Sequence, residues 1–456
     1  MVQLTLRRTW TAAAKYAFAA CALCAMATPA SAAGDDEALI NYFSARLNGS
    51  EEAFSQNIPV ELSQIEAQQD AVWQAWAKAN EAFDEERLIP LDELSLKKHS
   101  SWTLPAKLEK NAVMNYYYGK KGARPEAGYP LFLYLHGSGD KNNEWANGIK
   151  FGNSFEDGPS VYFIPQIPNT GDLYRWWQKG KQWAWEKLLR QLYLTGDIDP
   201  NRIYFFGISE GGYGSQRLAS FYADYWAAAG PMAGGEPLIN APVENLAHVP
   251  LSFLTGDRDF MFYRHLLTKT TGEKLDSMQR IHPNEYVHRV KLLEGYGHSI
   301  DYTPTTPWLA QHKRNAQPRH FLWENFEMDG LKRNAFYNLQ VLEEEDEFRT
   351  KYEFTANADN SIDIKVDAVK YNPTWKDPRW GINMLFSKEF TPAQHGHLRI
   401  FLSDQLVDLK KKVTVRINGK EVFNGKVKSS KKNQKLAHEL WGDPMRNFKH
   451  AVEVKW

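Results

Sequence analysis

The chain is poor in cysteine and carries no net charge. Among its 456 residues only Cys21 and Cys24 are cysteines, and Lys plus Arg (55) equal Asp plus Glu (55). Both cysteines lie near the N-terminus, which excludes disulfides and a thiol nucleophile from the rest of the chain. The balanced charge gives no support to a nucleic-acid partner. Beyond the N-terminal region no apolar run is long enough to predict an integral membrane protein.

The first 32 residues are typical of a secretory signal peptide. Arg7 and Arg8 precede an alanine-rich apolar run over 17–27, and Pro29-Ala30-Ser31-Ala32 offers small residues for cleavage. We expect cleavage near Ala32, export to a bacterial periplasm or exterior, and a mature chain without cysteine. A twin-arginine signal and a lipid anchor on Cys21 are alternatives whose surroundings match less well.

The remaining chain divides into three regions that differ in the spacing of their apolar residues. Apolar residues at helical spacing between 35 and 86 predict an N-terminal helical arm over 33–100. From 101 to 318, buried-strand patterns alternate with helical ones, which predicts an α/β domain with a mostly parallel sheet and helices on both faces. From 319 to 456, strand-like segments follow one another, so we expect a C-terminal all-β domain resembling a small sandwich. Asn418-Gly419 within it is a strong type I′ hairpin signal.

One stretch carries the strongest chemical signal. Residues 203–208 read as a buried strand, and Gly207-Ile208-Ser209-Glu210-Gly211-Gly212 follows as a tight turn into a helix. This G-x-S-x-G pattern is the nucleophile elbow, in which glycines admit a strained serine backbone and close packing of helix on strand. We therefore predict Ser209 as a nucleophile, with the backbone N–H of Glu210 aimed at an oxyanion.

A second strand ends in a similar small-residue turn. The apolar run 129–135 leads into His136-Gly137-Ser138-Gly139-Asp140. Small residues there let backbone amides face the nucleophile, and the N–H of Ser138 is our candidate for the second oxyanion donor. A plain strand-to-loop turn is the alternative.

A serine nucleophile needs a base and an acid that orients the base. In an open α/β sheet both are expected after the carboxyl ends of later strands. His298 follows a strand in a glycine-rich turn and is the predicted base. Asp259 follows another strand and is the predicted acid, with Asp257 and Asp301 as alternatives. The order Ser209, Asp259, His298 is that of α/β-hydrolases.

Other candidates carry weaker signals. Trp176 and Trp177, with Asp140, are candidate substrate-lining residues, and core packing of one tryptophan is the alternative. His395 and His397 could ligate a metal, but no third ligand is evident nearby. We therefore predict no metal site and no cofactor.

The four motifs together resemble the α/β-hydrolase superfamily. They are the turns that contain Ser138, Ser209, Asp259 and His298, and the resemblance covers about 102–318. It is closest to the phospholipase/carboxylesterase branch and its exported relatives, described as predicted peptidases or polyhydroxybutyrate-depolymerase-like esterases. The resemblance implies Asp259 rather than Asp257 as the acid and supports Ser138 as oxyanion donor. Glu210 departs from these families, which often carry Gln, Met or His after the nucleophile.

These observations predict an exported serine hydrolase that cleaves carboxylic esters, small or linked to a polysaccharide, through an acyl-enzyme. A serine peptidase of prolyl-oligopeptidase type would use the same triad, because the fold does not separate ester from amide bonds. A non-catalytic glycan-binding protein is the more distant alternative.

Overall fold

We analysed a computed structural model of the chain. It describes residues 30–50, 52, 54, 60, 64–168, 175–344, 349–428, 431–446, 448 and 450–456. The expected signal peptide, including Cys21 and Cys24, therefore lies almost wholly outside the described residues. Within the described residues no helix is long and apolar enough to cross a membrane.

Two helices form the N-terminal arm. Helix α1 spans Ala30–Leu47 and α2 spans Ile65–Ala82. They bury one apolar face each against the other, and Phe43 of α1 packs edge-on to Trp76 of α2 with ring centroids 5.2 Å apart. These two helices account for the helical periodicity between residues 35 and 86.

The central element is an eight-stranded sheet with the order β1-β2-β4-β3-β5-β6-β7-β8. Strand β2 pairs antiparallel with β1 and with β4, and the pairs from β4 to β8 are parallel. The strands are β1 His99–Thr103, β2 Val113–Lys121, β3 Tyr129–Leu135, β4 Ser160–Pro165, β5 Ile198–Ile208, β6 Ala228–Met232, β7 Leu251–Gly256 and β8 His288–Leu293. This order confirms the predicted fold class, an α/β domain with a mostly parallel sheet.

Helices cover both faces of the sheet. They are α3 Lys141–Ser154, α4 Lys179–Thr195, α5 Glu210–Phe221, α6 Arg264–Ile281 and the short α7 Thr305–Leu309. Successive side chains of a strand point to opposite faces, and β5 shows the result. Ile203 and Phe205 join one hydrophobic cluster, whereas Tyr204 and Phe206 join a second cluster on the other face. Burial on both sides explains the unbroken apolar runs of the central strands.

The C-terminal region contains most of the remaining strands. They are β9 His320–Asn325, β10 Glu327–Met328, β11 Leu331–Lys332, β12 Ala335–Phe336, β13 Leu339–Glu343, β14 Arg349–Ala356, β15 Ser361–Lys376, β16 Asn383–Pro392, β17 His397–Leu402, β18 Val413–Ile417, β19 Lys420–Gly425 and β20 His450–Lys455. A four-stranded sheet has the order β12-β13-β17-β20, and a larger one has β19-β18-β15-β14-β9 with β16 on β15.

The predicted hairpin is present between β18 and β19. Asn418 and Gly419 both have positive φ, 48° and 80°, as a type I′ turn requires. The expectation of an all-β region needs one correction, because helix α8, Lys431–Trp441, lies between β19 and β20. Helix α8 packs against α2, so the arm and the C-terminal region contact each other.

Candidate active site

Ser209 lies in the sharp turn between β5 and α5. Its backbone has φ 56° and ψ −113°, a conformation that costs energy for a residue with a Cβ. Its N–H donates to Met232 O at 2.9 Å, which ties the turn to the end of β6. The glycines around it are sterically required, because a Cβ on Gly211 would lie 2.0 Å from Leu135 O. The local geometry is thus that of a nucleophile elbow.

The structure brings the three predicted triad residues into one hydrogen-bonded chain. His298 Nε2 lies 2.9 Å from Ser209 Oγ, and His298 Nδ1 lies 2.7 Å from Asp259 Oδ2. Asp259 follows β7 and has a side chain only 2% exposed, whereas the ring of His298, in the loop after β8, is 44% exposed. A neutral imidazole here donates to Asp259 through Nδ1 and accepts from Ser209 at Nε2, the arrangement that activates a serine.

The two alternative acids have other partners. Asp257 Oδ1 accepts from the backbone N–H of Gly295 at 2.9 Å and fixes the loop that leads to His298. Asp301 accepts from the N–H and the hydroxyl of Thr303 at 3.0 and 2.7 Å. Of the three acids, Asp259 is the one hydrogen-bonded to the imidazole.

Arg264 is a second partner of Asp259 that was not predicted from the sequence. Its Nε donates to Asp259 Oδ2 at 2.9 Å and its Nη2 donates to Oδ1 at 2.6 Å. Burial alone would raise the pKa of Asp259, but the hydrogen bonds from His298 and Arg264 outweigh it and lower that pKa. The only signal in the sequence was a basic residue at the start of a helix, which charge preferences at helix ends disfavour.

The turn after β3 approaches the nucleophile from the opposite side. A Cβ on Gly137 would lie 3.3 Å from Ser209 Cβ, and Ser138 follows as an exposed residue. His136 is fully buried and holds this turn, since Ile167 N–H donates to its Nε2 at 3.1 Å and its Nδ1 donates to Gly137 O at 2.7 Å. Burial lowers the pKa of His136 to about 4, so the ring stays neutral.

Trp176 is part of the scaffold rather than of the substrate surface. It is fully buried, and its indole N–H donates to His136 O at 3.0 Å. A Cβ on Gly214 of α5 would lie 2.6 Å from Trp176 Cβ, so the tryptophan backs directly onto the nucleophile helix. The interpretation of Trp176 as a lining residue is therefore wrong, and the core-packing alternative holds. Its amphipathic neighbour in sequence, Trp177, faces a cavity instead.

Two acidic residues flank the turn after β3. Asp140 is exposed and caps α3, where its Oδ1 accepts from Asn143 N–H at 3.0 Å. Glu144 lies one turn further along α3, and a Cβ on Gly139 would lie 3.0 Å from its Oε1. Burial raises the pKa of Glu144, although a backbone hydrogen bond from Gly137 opposes the rise. Sequence analysis missed Glu144, because its position depends on how α3 folds back over the turn.

Glu210 turns its side chain into a neighbouring cavity. Its Oε1 lies 3.7 Å from Arg175 Nε, too far for a hydrogen bond, and is buried without a hydrogen-bond partner in the described structure. Burial raises the pKa of Glu210 to about 7, because Arg175 and Arg217 offset it only in part and Glu236 adds to it. The carboxyl group thus changes charge close to neutral pH, one residue from the nucleophile.

The cavity beside Glu210 has a volume of about 400 Å³. Trp177 stacks on the guanidinium of Arg217, 3.9 Å from ring centroid to Cζ, and both line it. The far wall comes from Gly381, Ile382 and Asn383 at the tip of the β15–β16 hairpin. The C-terminal region therefore contributes to the cavity that adjoins Glu210, the residue after Ser209.

Comparison with known proteins gives matches to solved structures only. No family model matches the chain, and no curated protein is significantly similar to it. It is similar to a thermostable esterase, with 21% identity, a TM-score of 0.38, and coverage of 48% of this chain and 63% of that one. A ferulic acid esterase shares 16% identity over 47% of this chain and 97% of its own, with a TM-score of 0.36. A poly(3-hydroxybutyrate) depolymerase from Bordetella parapertussis shares 14% identity over 47% of this chain and 86% of its own, with a TM-score of 0.36.

Proposed function

We propose that this protein is a serine hydrolase that cleaves carboxylic esters. The observation that carries the proposal is the hydrogen-bonded chain from Ser209 through His298 to Asp259, with the serine on a strained elbow at the carboxyl end of β5. Each distance lies within the range that proton transfer requires.

The chemistry follows from this geometry. His298 Nε2 takes the proton of Ser209 as its Oγ attacks the ester carbonyl, and Asp259 stabilises the imidazolium that forms. The N–H of Glu210 is the first of helix α5 and has no partner within the helix, so it can donate to the oxyanion together with the N–H of Ser138. Each such donor is worth about 3 kcal/mol. His298 then protonates the leaving alcohol, and water activated by the same ring releases the acyl group.

The surroundings favour a substrate with at least one flat or polar group beside the ester. The cavity beside Glu210, the residue after Ser209, is lined by Trp177, Arg175 and Arg217. We therefore propose a small ester or an ester attached to a polysaccharide. The composition of residues 7–32 supports export, and N-terminal sequencing of the protein from a periplasmic fraction would test cleavage near Ala32.

The first experiment tests the nucleophile. A fluorophosphonate probe should label the wild-type protein and the Ser299→Ala variant equally, and it should leave Ser209→Ala unlabelled. Ser299 is a matched control, because it is exposed and directly follows His298. Equal labelling of Ser209→Ala would overturn the proposal.

The second experiment tests the acid and the bond that is cleaved. Asp259→Asn should lower kcat on p-nitrophenyl acetate by about 10⁴-fold through the wrong imidazole tautomer, whereas Asp257→Asn should retain most activity. Faster turnover of peptide anilides than of acetate and butyrate esters would favour the peptidase instead. A screen of acetylated and feruloylated glycans would then identify the alcohol and acyl groups.

A further inference from the structure

Three side chains with metal-binding atoms meet near the start of β8, at the end of the sheet opposite to Ser209. His282 and Glu285 lie in the turn between α6 and β8, before the strand begins, and His320 is the first residue of β9. Their ligand atoms all lie within 4.8 Å of one another. No part of the proposed ester chemistry uses them.

The contacts within this cluster leave one buried carboxylate oxygen without a partner among the described residues. His320 Nδ1 lies 2.8 Å from Glu285 Oε1, and the rings of His282 and His320 stack with centroids 4.8 Å apart and planes 27° apart. The Glu285 side chain is only 13% exposed, and its Oε2 is buried without a hydrogen-bond partner among the described residues. A buried carboxylate oxygen with no donor is costly, and a bound cation would satisfy it.

The second ring nitrogen of His320 faces another carboxylate. Its Nε2 lies 3.8 Å from Glu353 Oε1 on β14, and His248 Nε2 holds the His320 carbonyl at 2.6 Å. Metal-binding histidines usually direct their free N–H to a carboxylate, which fixes the ring and strengthens the ligand. Glu353 lies on that outer side of the His320 ring, at ion-pair distance, and Nδ1 of His320 faces Glu285.

We propose that His282, Glu285 and His320 bind a divalent transition-metal ion, with zinc as the ion of choice and water as its fourth ligand. Two imidazoles and one carboxylate are a donor set that Zn²⁺ binds, whereas Ca²⁺ and Mg²⁺ prefer oxygen ligands alone. The ion would join the turn before β8 to the first strand of the C-terminal region. Glu285 and His320 are 35 positions apart, so no local motif in the sequence announced the site.

Titration of Zn²⁺ alone into the chelator-treated full-length protein tests the site. We expect one zinc per chain by calorimetry and elemental analysis, and a melting temperature that rises with Zn²⁺ but not with Mg²⁺. His282→Ala should weaken zinc binding by more than about 100-fold, and Glu353→Gln by about 10- to 100-fold. His288→Asn is the matched control with unchanged affinity, because this nearby histidine pairs with Asp276 at 3.1 Å outside the cluster.

Several results would overturn the site. Zinc uptake well below one per chain would do so, and so would equal affinity of the wild-type protein, His282→Ala and Glu285→Gln. His282 lies in a partly exposed turn, so His282→Ala remains informative even where His320→Ala fails to fold. The Ser209→Ala variant should bind zinc like the wild-type protein, which keeps this test independent of the proposed esterase activity.

Discussion

The carboxylate of Asp259 accepts hydrogen bonds from two residues, His298 and Arg264. Its Oδ2 lies 2.7 Å from His298 Nδ1 and 2.9 Å from Arg264 Nε. Arg264 therefore fixes the carboxylate in the orientation that the imidazole needs. Its positive charge and hydrogen bonds also lower the pKa of Asp259 and so keep this carboxylate ionised as the acceptor for His298. We regard Arg264 as a positioning residue.

Replacement of Arg264 should consequently alter the pH profile as well as the rate. In Arg264→Gln, Asp259 loses the two hydrogen bonds and the positive charge that lower its pKa, so the pKa of this carboxyl group should rise and the acid limb of kcat/KM should move to higher pH. Arg258→Gln is the control, since that arginine is exposed in the same turn. A lower rate with an unmoved acid limb would reduce Arg264 to a purely structural role.

Glu210 gives the site a second dependence on pH. Its pKa of about 7 means that a carboxylate forms beside the oxyanion donors as the pH passes neutrality. That charge opposes the developing oxyanion, so the rate of the wild-type protein should fall above pH 7. Glu210→Gln should remove this fall, whereas Glu294→Gln, an exposed acid near His298, should keep it. Identical alkaline limbs in the wild-type protein and Glu210→Gln would contradict this assignment.

The raised pKa of Glu210 also makes the free energy of unfolding depend on pH. In the unfolded chain Glu210 loses its proton near its ordinary pKa of 4.5, whereas in the folded state its pKa is about 7. The free energy of unfolding therefore falls as the pH rises from about 4.5 to 7. The lost stability amounts to about 3 kcal/mol and stays lost above pH 7. Glu210→Gln should therefore be more stable than the wild-type protein at pH 8 and show no gain at pH 4, as urea unfolding would measure.

Among the elements, those with a local signature were predictable. The strand before Ser209, the small-residue turn after β3 and the Asn418-Gly419 hairpin each follow from a few neighbouring residues. The far end of the long β15 was not predictable, because its last residues are largely exposed and carry no alternating pattern. The burial of Trp176 and the contact between Arg264 and Asp259 depend on which elements meet in space, and no spacing in the sequence encodes that.

The elbow imposes a steric requirement that can be tested at one glycine. A Cβ on Gly211 would lie 2.0 Å from Leu135 O and 2.9 Å from His136 O, both backbone atoms that cannot yield. Gly211→Ala should therefore lose about 3 kcal/mol or more of unfolding free energy. A Cβ on Gly297 meets nothing within 4 Å, so Gly297→Ala should stay within about 0.5 kcal/mol. Equal urea midpoints for the two variants would contradict the model of the elbow.

At the scale of the whole molecule, the predicted boundary near residue 318 does not divide the core. One hydrophobic cluster runs from Leu133 and Phe205 of the eight-stranded sheet to Phe354 and Ile400 of the C-terminal sheets. The tip of the β15–β16 hairpin also reaches the site, where Tyr263 OH donates to Asp377 Oδ1 at 2.7 Å. The C-terminal region is thus integral to the fold around the nucleophile.

A buried ionic network reinforces this connection. Asp224, just after α5, pairs with Arg333 and with Arg446, whose Nη1 lies 2.8 Å from Asp224 Oδ2. Arg446 also contacts Asp443, which binds Arg314 at 2.7 Å. Burial would raise the pKa of Asp224, but the two arginines outweigh it and lower that pKa. The pairing therefore stabilises the fold above pH 3.8, the unfolded value, and is lost as the pH falls further.

Replacement of Asp224 should show how much this network contributes to the free energy of unfolding. Asp224→Asn removes the carboxylate that Arg333 and Arg446 share and leaves Arg446 with Asp443 alone, so it should cost about 3 to 5 kcal/mol in urea unfolding at pH 7. Asp276→Asn removes an acid that is 61% exposed and should cost less than about 1 kcal/mol.

A chain that ends at residue 318 loses Arg333, Arg446 and half of the shared core, and should not fold. A soluble 101–318 fragment with a cooperative transition and fluorophosphonate labelling would show instead that the catalytic sheet is autonomous.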